Sequence, residues 1–226
     1  MPNIEKKARE WSRPALEAVG GALHRWNISP DWVTLLGLVL TLGVAALAAL
    51  GQIRWAGLAY IFAGACDSLD GALARVSGKG SRFGAFLDST LDRLEESIVF
   101  IGLAVYYSQV GGKWEIPVIL VATVCSLMVS YTRARAEGLG VACKEGLMTR
   151  PMRVLLMVLG MLLNQVFVAL VILAVTALFT MLQRIYLVWR ATGGERGGWG
   201  PVTEPFTLPV APAAELPPNE GMGEPQ

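Results

Sequence analysis

The chain has 226 residues, 54% hydrophobic and 16% charged, whereas soluble domains carry about 25% charged residues; its mean hydropathy is +0.50. A formal net charge of +1 gives no case for a nucleic-acid binder, because phosphate neutralisation needs a basic stripe. Cys66, Cys125 and Cys143 are odd in number and widely spaced, which excludes a disulfide framework and a CxxC metal motif.

The first stretch, Met1 to Trp26, is charged and has no apolar core of the kind a cleavable signal peptide needs. Ile4, Ala8, Trp11, Ala15, Val19, Ala22 and Trp26 recur at steps of three and four, so they share one helix face. Lys6, Lys7, Arg9 and Arg13 lie mostly elsewhere. That pattern predicts an amphipathic helix over residues 1–27, lying in the headgroup layer or packed on protein.

Ser29-Pro30 signals a helix start, and Trp32 to Leu50 carries no charge. A bilayer span needs about 20 such residues. The second apolar run, Trp55 to Cys66, reaches spanning length only by continuing through an Asp-containing stretch to about Arg75. A third runs from Phe83 to about Tyr107, with acids in its first half. The fourth is Ile116 to Tyr131, the fifth Val154 to Leu163 and the sixth Val166 to Trp189. Asn164-Gln165 reads as a tight turn between the last two. From Thr192 the chain is rich in Gly, Pro and Glu, which predicts a disordered tail over 192–226. The expected architecture is therefore an all-α integral membrane protein, with six transmembrane helices over residues 28–191.

An even number of spans puts both termini on one side. That side would hold most of the cations, from Lys6 through Arg75, Lys79, Arg82, Arg133, Arg135, Lys144 and Arg150 to Arg190; the other would hold Arg54 and Lys113. The positive-inside rule then assigns the termini and the acid-rich loop to the cytoplasmic side of the cell membrane.

Four carboxylates sit inside this apolar pattern. Asp67 and Asp70 are spaced i, i+3 in the second span, and Asp88 and Asp92 i, i+4 in the third, so each pair shares a helix face. Ionisable groups in spans are costly and mark function by default. Four converging negative charges need cations. Carboxylates with no His or Cys suit a hard ion, Mg²⁺ or Mn²⁺, and two such ions can serve an in-line phosphoryl displacement. Gly64, Gly71, Ala74 and Gly84 would let helices or a ligand approach the backbone. Pairing of the acids with Arg75, Arg82 and Arg93 as structural ion pairs is the alternative, but it leaves the regular spacing unexplained. An ion-coupled transporter is a more remote one, opposed by the lack of acids in the other spans.

The stretch Asp67-Ser-Leu-Asp-Gly-Ala-Leu-Ala-Arg75, followed after eight residues by Gly84-Ala-Phe-Leu-Asp-Ser-Thr-Leu-Asp92, resembles the signature of the CDP-alcohol phosphatidyltransferases, DxxDGxxAR then GxxxDxxxD. All its fixed positions are present. The resemblance implies a metal-dependent enzyme of phospholipid biosynthesis, acting on CDP-diacylglycerol or a CDP-archaeol-type lipid with release of CMP. It implies that Asp67, Asp70 and Asp88 hold the metals, and that Asp92 touches a metal and serves as general base. Gly71, Ala74 and Arg75 would line the CDP site, with Pro30 and Thr34 reaching the nucleotide from the start of the first span. Similar enzymes also imply a homodimer.

Ser89-Thr90 stands where cardiolipin and phosphatidylglycerophosphate synthases usually show Pro. Leu87-Asp-Ser-Thr-Leu-Asp-Arg93, Ser130-Tyr-Thr-Arg-Ala-Arg-Ala-Glu137 and Arg150-Pro151 are similar to the bacterial and archaeal phosphatidylinositol-phosphate synthases, apart from Arg133, where Lys is common. Arg133, Arg135, Lys144, Arg150 and Arg153 crowd one loop, and Arg184 ends the last span nearby. Such a cluster, with Arg133, Arg135, Arg150 and Arg184 as the candidate contacts, suits an acceptor that carries a phosphate: inositol 1-phosphate, or glycerol 3-phosphate as the alternative. The same cations could instead serve only to orient the protein in the membrane.

Overall fold

The computed structural model describes residues 18–22, 25, 29–77, 81–143, 146 and 148–192. Among them run six long helices: α1 (Pro30–Ala49), α2 (Ile53–Ser77), α3 (Arg82–Val110), α4 (Glu115–Gly138), α5 (Arg150–Leu162) and α6 (Val166–Ala191). Residues 18–22 and 25 are helical too. The rest of the expected interfacial helix over 1–27, and the expected tail beyond Thr192, lie outside the described residues.

Local sequence sets the ends of these helices. Ser29 is extended and Pro30 opens α1, where a missing N–H costs nothing. α2 continues without a break through Asp67 and Asp70, as its length requirement predicts. The Ser81 hydroxyl accepts from the Gly84 amide at 2.8 Å and caps α3. At the far end Gly111 closes α3 at φ 80, and Asn164 turns the chain between α5 and α6 at φ 55. α5 begins at Arg150, four residues before the predicted Val154, because Arg150-Pro151 forms its first turn rather than a loop.

The helices form a closed ring. α1 packs on α2 and α3, α3 on α4, α4 on α6, α6 on α5, and α5 on α2. Although a short connection joins α2 and α3, they are not packed side by side. The motif acids on them face a gap that α1 and α5 bridge.

The main apolar core fills the end of the ring remote from those acids, with Val44, Val99, Phe100, Leu103, Leu170 and Leu173 buried. Close packing there rests on small residues. A Cβ at Gly102 would lie 2.4 Å from the Ala45 carbonyl oxygen, and one at Gly160 would lie 2.4 Å from the Ala169 Cβ. Between helices in lipid, such close contact replaces the hydrophobic drive available in water. At Gly64 a Cβ would meet Val154 at an ordinary 3.6 Å, so the expected close approach of helices is not located there.

Among the described residues, three helical segments are long and apolar enough to cross a membrane: Trp32–Ala49, Glu115–Gly138 and Val166–Ala191. α2 and α3 have the length but carry the acids. α5, at 13 residues, is about 20 Å long, less than the hydrocarbon thickness of about 30 Å. The outer surface is apolar, with Leu36, Val39, Val124, Val175 and Phe179 all exposed. Exposed Trp32 and Trp189 mark one end of the ring, and exposed Trp55 and Trp114 the other. Tryptophans at two levels flanking an apolar band are the mark of a membrane protein.

Candidate active site

The acids emerge from the inner faces of α2 and α3. Asp67 of α2 and Asp92 and Glu95 of α3 offer carboxylate oxygens within 4.8 Å of one another. Glu95 stands three residues after Asp92, one further turn along the same face, and it is outside the motif. Two acids in succession, Glu95-Glu96, inside an apolar helix were the available sequence signal.

Arg150, at the first turn of α5, reaches into this cluster. Its Nη1 lies 2.6 Å from Asp92 Oδ1. Its Nη2 lies 2.6 Å from Asp67 Oδ2 and 3.2 Å from Glu95 Oε2. Glu95 is 3% exposed, and its Oε1 has no hydrogen-bond partner among the described residues. One turn further along α5, Arg153 donates from Nε and Nη2 to the two oxygens of Glu96, at 2.7 and 2.8 Å. Both members of that pair are buried.

The other motif acids stand apart from these three. Asp70 is buried and accepts a 2.7 Å hydrogen bond from the Thr34 hydroxyl of α1. Asp88 is half-buried one turn before Asp92 and is not among the oxygens within 4.8 Å. The expectation that Pro30 and Thr34 belong near the site has a contact at Thr34. The side chains of Pro30, Ala74 and Arg75 lie outside the described residues. Arg93, considered above as a partner for the acids, donates instead to the Ser89 carbonyl.

Three of the four cations assigned to an acceptor phosphate each contact a different partner. Arg150 pairs with the acids. Arg184 is buried and donates to the Val129 carbonyl. Arg133 pairs with Glu137 at 2.9 Å on the exposed face of α4, and Arg135 is exposed two residues further on. The three cysteines are free.

The donor set tests whether a metal fits. It is all carboxylate oxygen, drawn from two helices, with one buried oxygen unsatisfied. Such a set suits a hard divalent cation.

Residues 27–189 match the family described as CDP-alcohol phosphatidyltransferase. The chain belongs to that family. It is 34% identical over 197 residues to an archaetidylinositol phosphate synthase of Methanothermobacter thermautotrophicus, covering 84% of this chain and 98% of that one. It is 37% identical over 196 residues to a phosphatidylinositol phosphate synthase of Mycolicibacterium smegmatis, covering 80% of this chain and 85% of the relative. Crystal structures of the Mycobacterium tuberculosis phosphatidylinositol phosphate synthase share the fold. With CDP-DAG bound, that enzyme superposes with a TM-score of 0.72 at 31% identity, over 77% of this chain and 93% of its own. In complex with manganese and citrate it superposes at 0.71 and 31%, over 77% and 88%. This chain is thus an integral membrane CDP-alcohol phosphatidyltransferase whose carboxylate cluster suits a divalent metal.

Proposed function

We propose that the enzyme transfers a phosphatidyl-type group from CDP-diacylglycerol, or a CDP-archaeol-type lipid, to a hydroxyl of inositol 1-phosphate, releasing CMP. The observation that carries the chemistry is the convergence of Asp67 and Asp92 from two helices on one point. Full-length likeness to phosphatidylinositol and archaetidylinositol phosphate synthases supports the acceptor. Glycerol 3-phosphate, which also carries a phosphate, is the second reading.

Asp67, Asp70, Asp88 and Asp92 would hold two Mg²⁺ or Mn²⁺ ions. Bound there, the ions would neutralise charge on the pyrophosphate and the departing CMP. The acceptor oxygen attacks the lipid-bearing phosphorus, and the bond from that phosphorus to the CMP oxygen breaks. Asp92 takes the acceptor's proton, because a neutral alcohol is a poor nucleophile without a positioned base. Thr34 orients Asp70 through its hydroxyl, and Gly71, Ala74 and Arg75 line the CDP end. Arg133, Arg135, Arg150 and Arg184 form the acceptor-phosphate side, with Arg150 also serving as counter-ion to the acids.

In the membrane the six helices act as six spans over residues 28–191, the short α5 being accommodated by local thinning of the bilayer, with both termini and the site on the cytoplasmic side. The protein pairs as a homodimer by analogy with its family. A cysteine replacing Arg82 should be labelled only from the cytoplasmic side, and one replacing Lys113 only from the opposite side.

The deciding experiment supplies purified protein with CDP-diacylglycerol, Mg²⁺ and one of four labelled acceptors: inositol 1-phosphate, glycerol 3-phosphate, serine or inositol. Product from inositol 1-phosphate at the highest kcat/KM is expected. Preference for glycerol 3-phosphate would favour the second reading, and preference for serine or free inositol would contradict both.

A further inference from the structure

We infer that Glu95 is a metal ligand of this enzyme, joining Asp67 and Asp92 although it lies outside the family's aspartate motif. The inference rests on the metal-dependent reading above and extends it to a residue of this chain.

Three observations meet at this side chain. Glu95 shares a cluster of carboxylate oxygens, 4.8 Å across at most, with Asp67 and Asp92. It is 3% exposed, yet only Oε2 has a charge partner, Arg150 Nη2 at 3.2 Å; among the described residues no hydrogen-bond donor reaches Oε1. A buried carboxylate oxygen without a partner is costly and marks a place where another group is to be met. The third observation is the space beside it. A Cβ at Gly37 of α1 would stand 3.0 Å from Asp67 Oδ1 and 3.4 Å from Glu95 Oε1. The absence of a side chain at Gly37 therefore keeps a position open between two carboxylate oxygens from two helices.

Glu96 shows what the structural alternative looks like. Its two oxygens are both taken by Arg153 in a closed, bidentate pair, so it has nothing left for a cation. Glu95 shares its arginine with two aspartates. Formal charge points the same way. Asp67, Asp92 and Glu95 carry three negative charges against the one positive charge of Arg150, and one divalent cation would supply the remaining two. In a low-dielectric site such balance is strongly favoured.

The test is Mn²⁺ affinity, read by electron paramagnetic resonance of free Mn²⁺ over detergent-purified protein without substrate. Glu95→Gln keeps the side chain's size and should weaken Mn²⁺ binding by more than about 10–100-fold, since the loss even of an outer partner of a metal ligand costs that much. Gly37→Ala, a change that favours a helix, should also weaken it by crowding the two oxygens. Wild-type Mn²⁺ affinity in folded Glu95→Gln and in Gly37→Ala would overturn the inference. Asp92→Asn separates this failure from failure of the metal reading. If wild-type protein binds no Mn²⁺, or Asp92→Asn binds it as the wild type does, the metal site itself is misplaced and the inference falls with it.

Discussion

Arg150 and Arg153 sit one turn apart on α5 and meet two different kinds of site. Arg153 and Glu96 are both buried and pair one to one through two hydrogen bonds. Arg150 faces Asp67, Asp92 and Glu95 at once, from a partly exposed position. The first site is closed: every carboxylate oxygen is used and no charge is in excess. The second is open: acids outnumber the cation and buried oxygen remains unsatisfied. The contrast teaches that a charge in a membrane helix marks chemistry when its partners are unbalanced, and architecture when they are matched. The matched pair ties α5 to α3, which holds Arg150 at the acids.

The comparison breaks most sharply at Asp92. Asp92→Asn should lower turnover by about 10²–10⁴-fold, the usual cost of losing a general base. Because Asp92 also touches a metal, it should lose some CDP-diacylglycerol affinity too, though less of it relative to the rate loss than Asp70→Asn does. Asp70→Asn should lose both turnover and metal-dependent nucleotide binding. Titration with the CDP-lipid beside single-turnover assays checks the split. Near wild-type turnover in Asp92→Asn would move the base elsewhere.

At the closed pair the expected loss is stability rather than chemistry. Glu96→Gln leaves Arg153 charged and buried without its partner, and removal of one member of such a pair costs about 3–5 kcal/mol. Replacing both, as Glu96→Met with Arg153→Leu, should cost much less, since matched apolar groups relieve the desolvation. Thermal unfolding in detergent would order the variants. A single variant as stable as the wild type would show that the pair does not tie α5 to α3.

The acids of the open site were legible in the sequence because Asp67, Asp70, Asp88 and Asp92 interrupt apolar runs at helical spacing, and charge in such runs stands out. Helix ends were legible where the chemistry is local, as at Ser29-Pro30 and Asn164-Gln165. The partners of the acids were not. Arg150 reads as one of many cations in a loop, and only α5 beginning at Arg150 aims it at residues 83 and 58 positions earlier in the chain. Glu95 and Glu96 are adjacent and chemically alike, so no sequence pattern says that one meets Arg150 and the other Arg153. A helix turns about 100° per residue, and the packing of α5 on the ring decides which face each glutamate sees.

A smaller effect is expected at Thr34. Its hydroxyl makes a buried hydrogen bond to Asp70, and hydrogen bonds to charged groups contribute about 1.5–3 kcal/mol. Thr34→Val should raise the KM for the CDP-lipid by about tenfold, as 1.4 kcal/mol corresponds to tenfold; an unchanged KM would show that Asp70 needs no orienting. The smallest effect is expected on stability at Arg133. Its exposed pair with Glu137 is worth about 0.3–0.5 kcal/mol. Arg133→Gln should leave the unfolding temperature nearly unchanged, so a raised KM for inositol 1-phosphate in that variant reports acceptor binding. An unchanged KM would remove Arg133 from the acceptor site.

The most direct test of metal-dependent transfer at the open site is CMP release from CDP-diacylglycerol and inositol 1-phosphate by protein stripped of divalent ions with EDTA. Turnover should vanish on stripping and return on titration with Mg²⁺ or Mn²⁺. Full turnover by the stripped protein would contradict the assignment of these carboxylates to a metal centre.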